Sequence, residues 1–240
     1  RCIHLIIKFG VKKILLNTFH LSQQISEYIK IKKFPIDIQI VEDGKEILDT
    51  GGGILNMIEN SKDNDFIIFN PDTLWSKDYI SEINKMQDFY FSNQLNNILL
   101  LANKELSFDK NFKGDFNLTN NLLKKNDKND LIYIGCQILS RNLFENYKAH
   151  SFSISKIWNE LLKKKELYGY ESKNEFIHLM FPINEPFFTI PKIKHFIEEN
   201  NFKFLGWSDF VANKTLKAGI YKHYEKNYPD DLTMNNLDNW

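Results

Sequence analysis

Three observations predict an α/β fold with a mostly parallel sheet flanked by helices and a small α+β extension at the C-terminal end. Short apolar runs are bounded by polar residues, stretches with helical spacing lie between them, and the two kinds of segment alternate along most of the chain. Ile3, Ile6 and Ile7, followed by Gly10, have the spacing of the last turns of a helix closed by a glycine. Lys13 to Asn17 (KILLN) reads as a short buried strand. Leu21 to Ile31 shows helical spacing at Leu21, Ile25, Tyr28 and Ile29 and is broken by Pro35, after which Asp37 to Val41 forms a second strand. Glu42 to Lys45 is turn-like, and Gly51, Gly52 and Gly53 lead into a helix expected over Ile54 to Asn60. Phe66-Ile67-Ile68-Phe69 has the continuous apolar character of a strand covered on both faces.

The alternation continues through a helix over Tyr79 to Phe89 and a strand over Asn97 to Leu101 (NILLL). Asp109 to Asp130 is polar and predicts a hairpin or surface excursion. Leu131 to Leu139 (LIYIGCQIL) is another strand, and Ser153 to Lys164 a helix with Ser153 or Ser155 as its cap. Beyond about Tyr170 the regularity changes. Pro182, Pro186 and Pro191 fall close together, Thr189 to Asn200 is helical with Pro191 near its first turn, and Phe202 to Trp207 resembles a strand.

The chain has 240 residues, 42% hydrophobic and 26% charged, which is the composition of a folded domain with a sizeable core. No apolar run approaches the roughly 20 residues of a spanning helix, so no membrane role is expected. Equal numbers of basic and acidic side chains, 31 each, argue against a general nucleic-acid binder, which needs a cationic excess. Cys2 and Cys136 lie far apart without CxxC or histidine spacing, which excludes a disulfide scaffold and a cysteine-based zinc site and fits a cytoplasmic setting. The chain opens on Arg1 in what reads as the body of a helix without a cap, so a start upstream of Arg1 is expected.

Chemistry is expected at two strand-to-helix connections. Asp49-Thr50-Gly51-Gly52-Gly53 sets three residues without side chains before a helix, where a ligand can approach the backbone and use helix N-terminal amides; the same glycines serve equally as a tight packing point. Asn70-Pro71-Asp72-Thr73 follows a buried strand directly. Ligands of open α/β sheets bind beyond the carboxyl ends of strands, so Asp72 is placed to hold a divalent cation, or else caps the next helix.

Glu46-Ile-Leu-Asp-Thr-Gly-Gly-Gly-Ile54, DFIIFNPDTLW ending at Trp75, GDF at Gly114 to Phe116 and IYIGCQIL at Ile132 to Leu139 together resemble the sugar-1-phosphate nucleotidyltransferases. They are most similar to the bacterial N-acetylmuramate-1-phosphate uridylyltransferase group, which serves cell-wall recycling, and its mannose-1-phosphate guanylyltransferase relatives. The resemblance covers residues 1–179 and implies a Rossmann-like domain. It further implies transfer of a nucleoside monophosphate from UTP or GTP to a sugar 1-phosphate with release of pyrophosphate, a reaction that rests on positioning and charge neutralisation. Carried over by residue, Gly51, Gly52 and Gly53 with Thr50 line the nucleotide or sugar pocket, and Glu46 and Asp49 support that loop. Asp72 binds Mg2+, and Asp115 and Gly135 sit near the sugar.

Two departures bear on activity. The family's first strand and its glycine-rich, arginine-containing loop would precede Arg1, which implies impaired turnover. In the family an aspartate that serves as a second metal ligand precedes Val-Gly-Thr-Pro, and here His178 stands at that place, more consistent with a packed histidine than with a ligand. Residues 180–240, with Phe187 to Ile197, Phe204 to Trp207 and Tyr228 to Asp231, are similar to the C-terminal tail of bacterial SAM-dependent methyltransferases. A non-catalytic nucleotide- or sugar-binding remnant and a methyltransferase segment are the rival functional readings.

Overall fold

The structure, a computed structural model, describes residues 2–73, 75–107, 113–148, 150–174 and 190–199, together with Asp230. Along the chain these form α1 (Cys2–Phe9), β1 (Lys13–Thr18), α2 (Ser22–Lys32), β2 (Asp37–Glu42), α3 (Asp49–Glu59), β3 (Asp65–Phe69) and α4 (Tyr79–Ser92). Then follow β4 (Asn97–Asn103), β5 (Asn117–Thr119), β6 (Leu122–Lys124), β7 (Leu131–Ser140), α5 (Ser155–Lys164), β8 (Gly169–Ser172) and α6 (Ile190–Glu199). The chain divides into two compact units, Arg1–Met180 and Phe181–Trp240. Within the second, α6 is the described helix, close to the stretch its spacing predicts. His178 and the strand expected at Phe202 to Trp207 lie outside the described residues.

In the first unit, β1 and β2 pair in parallel from Lys13 opposite Asp37 to Thr18 opposite Glu42, joined by α2. A four-stranded sheet has the order β3-β7-β4-β8. Here β3, β4 and β8 share one direction and β7 alone runs against them. The predicted α/β architecture is therefore present, with one reversed strand in the sheet. The polar excursion contains the expected hairpin, β5 with β6.

Helices cover both faces of this sheet, which is why its strands are apolar throughout. In β4, Leu99 and Leu101 join Ile54, Leu55 and Ile58 of α3 and Ile157 and Leu161 of α5 in one apolar layer. Ile98, Leu100 and Ala102 face the opposite layer, with Leu5 of α1 and Tyr79, Ile83, Met86 and Tyr90 of α4. Ile83 and Met86 are 0% exposed. Each such side chain contributes about 1.5–3 kcal/mol on removal from water.

Three boundaries differ from expectation for identifiable reasons. Helix α3 begins at Asp49 rather than Ile54, so the glycine triplet is its first turn; packing overrides the low helix propensity of glycine. Helix α5 has no side-chain cap, and the amide of Ile154 donates instead to Thr50 Oγ1 at 3.0 Å. Strand β8 carries too short a pattern to read. It is fastened by the buried Asn97, which accepts from the Tyr168 amide at 3.0 Å and donates to the Glu166 carbonyl at 2.8 Å.

Candidate active site

A bulge in β7 organises the site. The β3–β7 ladder runs from Asp65 opposite Ser140 to Phe69 opposite Cys136. On the other side of β7, the register with β4 shifts between Leu99 and Leu101, and Gly135 within that shift has φ +89. Only glycine adopts this conformation without strain. A β-carbon there would also lie 2.9 Å from Thr73 Oγ1 and 3.0 Å from Asn70 Cβ.

That close approach fixes the loop after β3. Asn70 donates its amide to the Gly135 carbonyl at 2.7 Å, and Thr73 donates its hydroxyl to the Ile134 carbonyl at 2.9 Å. Trp75 Nε1 donates to the Asn70 carbonyl at 3.0 Å while its ring stands edge-on to Phe69 and Tyr79. Asp72 is thereby held on a rigid turn, half-buried, with Oδ1 shielded from solvent. Its negative charge helps raise the pKa of Tyr133 and of Cys2, each displaced first by burial, the Cys2 thiol to about 11. Asp72 and Gly135, separate in sequence, meet at one place.

Asp115, which precedes β5, is tied to the same strand β7, its amide donating to the Leu131 carbonyl at 2.7 Å. Its Oδ2 accepts from the Tyr133 amide at 3.0 Å, two residues before Gly135, and burial raises its carboxyl above the usual range despite that bond and the nearby Lys125. The Tyr133 ring packs against Trp158 at 4.9 Å, and Trp158 Nε1 donates to Gln137 Oε1 at 3.1 Å. No local sequence pattern marks this aromatic wall, because α5 supplies its second ring.

The glycine triplet forms a second cluster. The amides of Gly51 and Gly52 both donate to the Phe152 carbonyl, at 2.8 and 3.1 Å, so the open helix-terminal donors expected here are already engaged at these two residues. A β-carbon on Gly51 would collide with the Phe152 ring, and one on Gly52 with the His150 carbonyl. These glycines thus permit close packing. Gly53 instead faces Asn17 Nδ2 and Asp43 Oδ2. Asn17 donates to Asp43 Oδ2 at 3.2 Å and Asn56 to Asp43 Oδ1 at 3.3 Å, forming a polar group at the ends of β1 and β2 that the sequence reads merely as a turn. Asp49, in a left-handed conformation, accepts from the Thr50 amide at 2.5 Å, and Glu46 is exposed.

A cavity of about 890 Å³ borders both clusters. Asn17 and Ile54 line it beside the glycine cluster, and Pro71 and Thr73 line it beside Asp72. The predicted site residues themselves do not.

The resemblance implies a divalent cation at Asp72. Among the described residues no three His, Cys, Asp or Glu side chains converge on one point. Asp72 offers one carboxylate, which suits Mg2+, an ion that takes one or two carboxylates and completes its shell with water and substrate phosphate. Also among the described residues, no helix is long and apolar enough to cross a membrane.

The fold is similar to that of solved structures that cover most of the chain. In particular, the chain is similar to HddC from Yersinia pseudotuberculosis, solved in complex with GMP-PN, at 20% identity and TM-score 0.58 over 75% of this chain and 78% of that one. It is also similar to the inositol-1-phosphate CTP transferase of T. maritima, at 10% identity and TM-score 0.62 over 82% of this chain and 80% of that one. A third likeness is to UDP-glucose pyrophosphorylase complexed with UDP-glucose, at 18% identity and TM-score 0.57 over 73% and 78% of the two chains. At these identities the likeness shows the fold. No family model and no curated protein matches the sequence.

Proposed function

We propose that the first unit transfers a nucleoside monophosphate from UTP or GTP to a sugar 1-phosphate, releasing pyrophosphate. One observation carries the reading: Asp72 is held on a rigid turn at the C-terminal end of β3, against the Gly135 bulge, where an open α/β sheet binds its ligand. A sugar-phosphate oxygen forms a bond to the α-phosphorus while the bond between that phosphorus and the β-phosphate oxygen breaks. Asp72 would hold Mg2+, which supplies charge neutralisation to the phosphates when bound. Asn70, Thr73 and Trp75 keep the carboxylate in position, so it needs no reorganisation on binding. Gly53 with Asn17 and Asp43, and Asp115 with the Tyr133–Trp158 wall, are the proposed contacts to nucleotide and sugar. Glu46, Asp49, Thr50, Gly51 and Gly52 shape the adjacent loop in this reading, the setting is cytoplasmic, and the second unit keeps its methyltransferase-tail assignment.

Titration of UTP and of GTP into the protein, with and without Mg2+, tests this. Mg2+-dependent binding of one of them should weaken at least about tenfold in Asp72→Asn, equivalent to about 1.4 kcal/mol. Equal affinity in the two proteins, or binding indifferent to Mg2+, would contradict the assignment.

A further inference from the structure

From Leu131 to Leu139 every residue of β7 is buried except Tyr133, which is half-buried. Its hydroxyl oxygen is nevertheless shielded from solvent, and among the described residues it has no hydrogen-bond partner. Such a group has given up its water without a replacement, which weighs against the folded state. Phenylalanine would fill the same place in this apolar strand without that cost, so the oxygen calls for an explanation other than packing. Burial also raises the pKa of the phenol, which keeps the hydroxyl protonated and able both to donate and to accept.

The surroundings decide what kind of partner fits. The Tyr133 ring stands 4.9 Å from that of Trp158, whose Nε1 donates to Gln137 Oε1 at 3.1 Å. Gln137 also lies beside the phenol, but it is 1% exposed and its oxygen is already engaged by Trp158. The Tyr133 amide is held by Asp115 Oδ2 at 3.0 Å, Gly135 follows two residues on, and the charge of Asp72 is felt at the phenol. The hydroxyl thus shares its neighbourhood with Asp115, with Trp158 and with the turn that carries Asp72. Two carboxylates with Lys125 as the nearby cation leave that neighbourhood negative, so an anionic group is the poorer partner. An uncharged hydroxyl, which donates as well as accepts, is the better one. We propose that Tyr133 is a specificity-determining residue for the sugar 1-phosphate: its hydroxyl takes as partner an uncharged hydroxyl of the sugar ring, in a bond made only when that substrate is bound. This rests on the nucleotidyl-transfer reading and adds to it that the sugar is selected through one of its own hydroxyls as well as through its phosphate.

Tyr133→Phe tests it through two readouts of opposite sign. In thermal unfolding of the free chain the variant should melt about 2–4 °C higher, because an unmatched buried hydroxyl has been removed. Binding is followed by calorimetry with Mg2+ present, and the probes are glucose 1-phosphate, mannose 1-phosphate and galactose 1-phosphate. For the sugar phosphate that the wild type prefers, affinity should fall at least about fivefold in the variant. Inorganic phosphate, which has no ring hydroxyl, should bind the two proteins alike. Among singly deoxygenated analogues of the preferred sugar phosphate, one should bind the wild type more weakly by the same factor and lose nothing further in the variant. An unchanged or lower melting temperature would show that the hydroxyl is already matched in the free protein and would overturn the proposal. So would an equal loss of affinity for inorganic phosphate, or a sugar-phosphate affinity indifferent to the substitution. In those cases the nucleotidyl-transfer reading stands, whereas a wild-type chain that binds none of the sugar phosphates brings both down together.

Discussion

Gly135 is linked to the turn that carries Asp72 through its contacts with Asn70 and Thr73. Substituting Gly135→Ala forces a left-handed conformation on alanine and drives its methyl group against Thr73 and Asn70, so a loss of about 1–3 kcal/mol is expected in denaturant unfolding. Mg2+-dependent nucleotide binding should fall with it. Cys2 offers an independent reading of Asp72. With its pKa near 11, mainly through burial, the thiol should alkylate at pH 8 about two orders of magnitude more slowly than a free thiol, and Asp72→Asn should speed it by removing a nearby negative charge. Asp115 adds a pH dependence. Burial raises its folded-state pKa above the unfolded value, so its favourable contribution is complete below the ordinary carboxylate range and is lost as pH rises through the raised value. Wild-type stability relative to Asp115→Asn should therefore increase as pH falls through that interval. Asp72 stands out locally as an acidic residue in a polar turn after an apolar run, whereas Gly135 is marked only through the family resemblance. Their meeting is not legible in the sequence, since it depends on the antiparallel register of β3 with β7.

At the level of elements, the glycine triplet shows how a motif can be seen and its local structure mistaken. Three glycines argue against helix by propensity, yet α3 begins before them because Phe152 and His150 leave no room for side chains. Gly52→Ala should accordingly destabilise the protein by about 1–3 kcal/mol, with the backbone at His150 displaced, even though alanine is the better helix former. Arg141 performs a comparable task between α3 and β3. Its guanidinium donates to the carbonyls of Ile58, Ser61 and Asp63 at 2.8–3.1 Å and lies over the Phe66 ring. Replacing it with alanine removes the donor to two part-buried carbonyls and one exposed one, and the expected cost in thermal or denaturant unfolding is about 1–3 kcal/mol. Neither contact has a sequence signature, because both partners are backbone atoms distant along the chain.

For the whole molecule, the alternation of apolar runs and helical spacing carries the architecture, since strands covered on both faces must be continuously apolar. The reversal of β7 has no such signature, because an antiparallel strand buried on both faces reads like a parallel one. Pro71 and Thr73 of the turn after β3 and Asn17 at the end of β1 line one cavity, and nucleotide transfer is proposed for this region. The most direct measurement is release of pyrophosphate from UTP or GTP in the presence of Mg2+ and a panel of sugar 1-phosphates. The account predicts pyrophosphate formation that requires one sugar phosphate and falls by at least about a hundredfold in Asp72→Asn, roughly 2.7 kcal/mol of transition-state stabilisation. Absence of pyrophosphate with every pair, or turnover unchanged by loss of the Asp72 carboxylate, would contradict it.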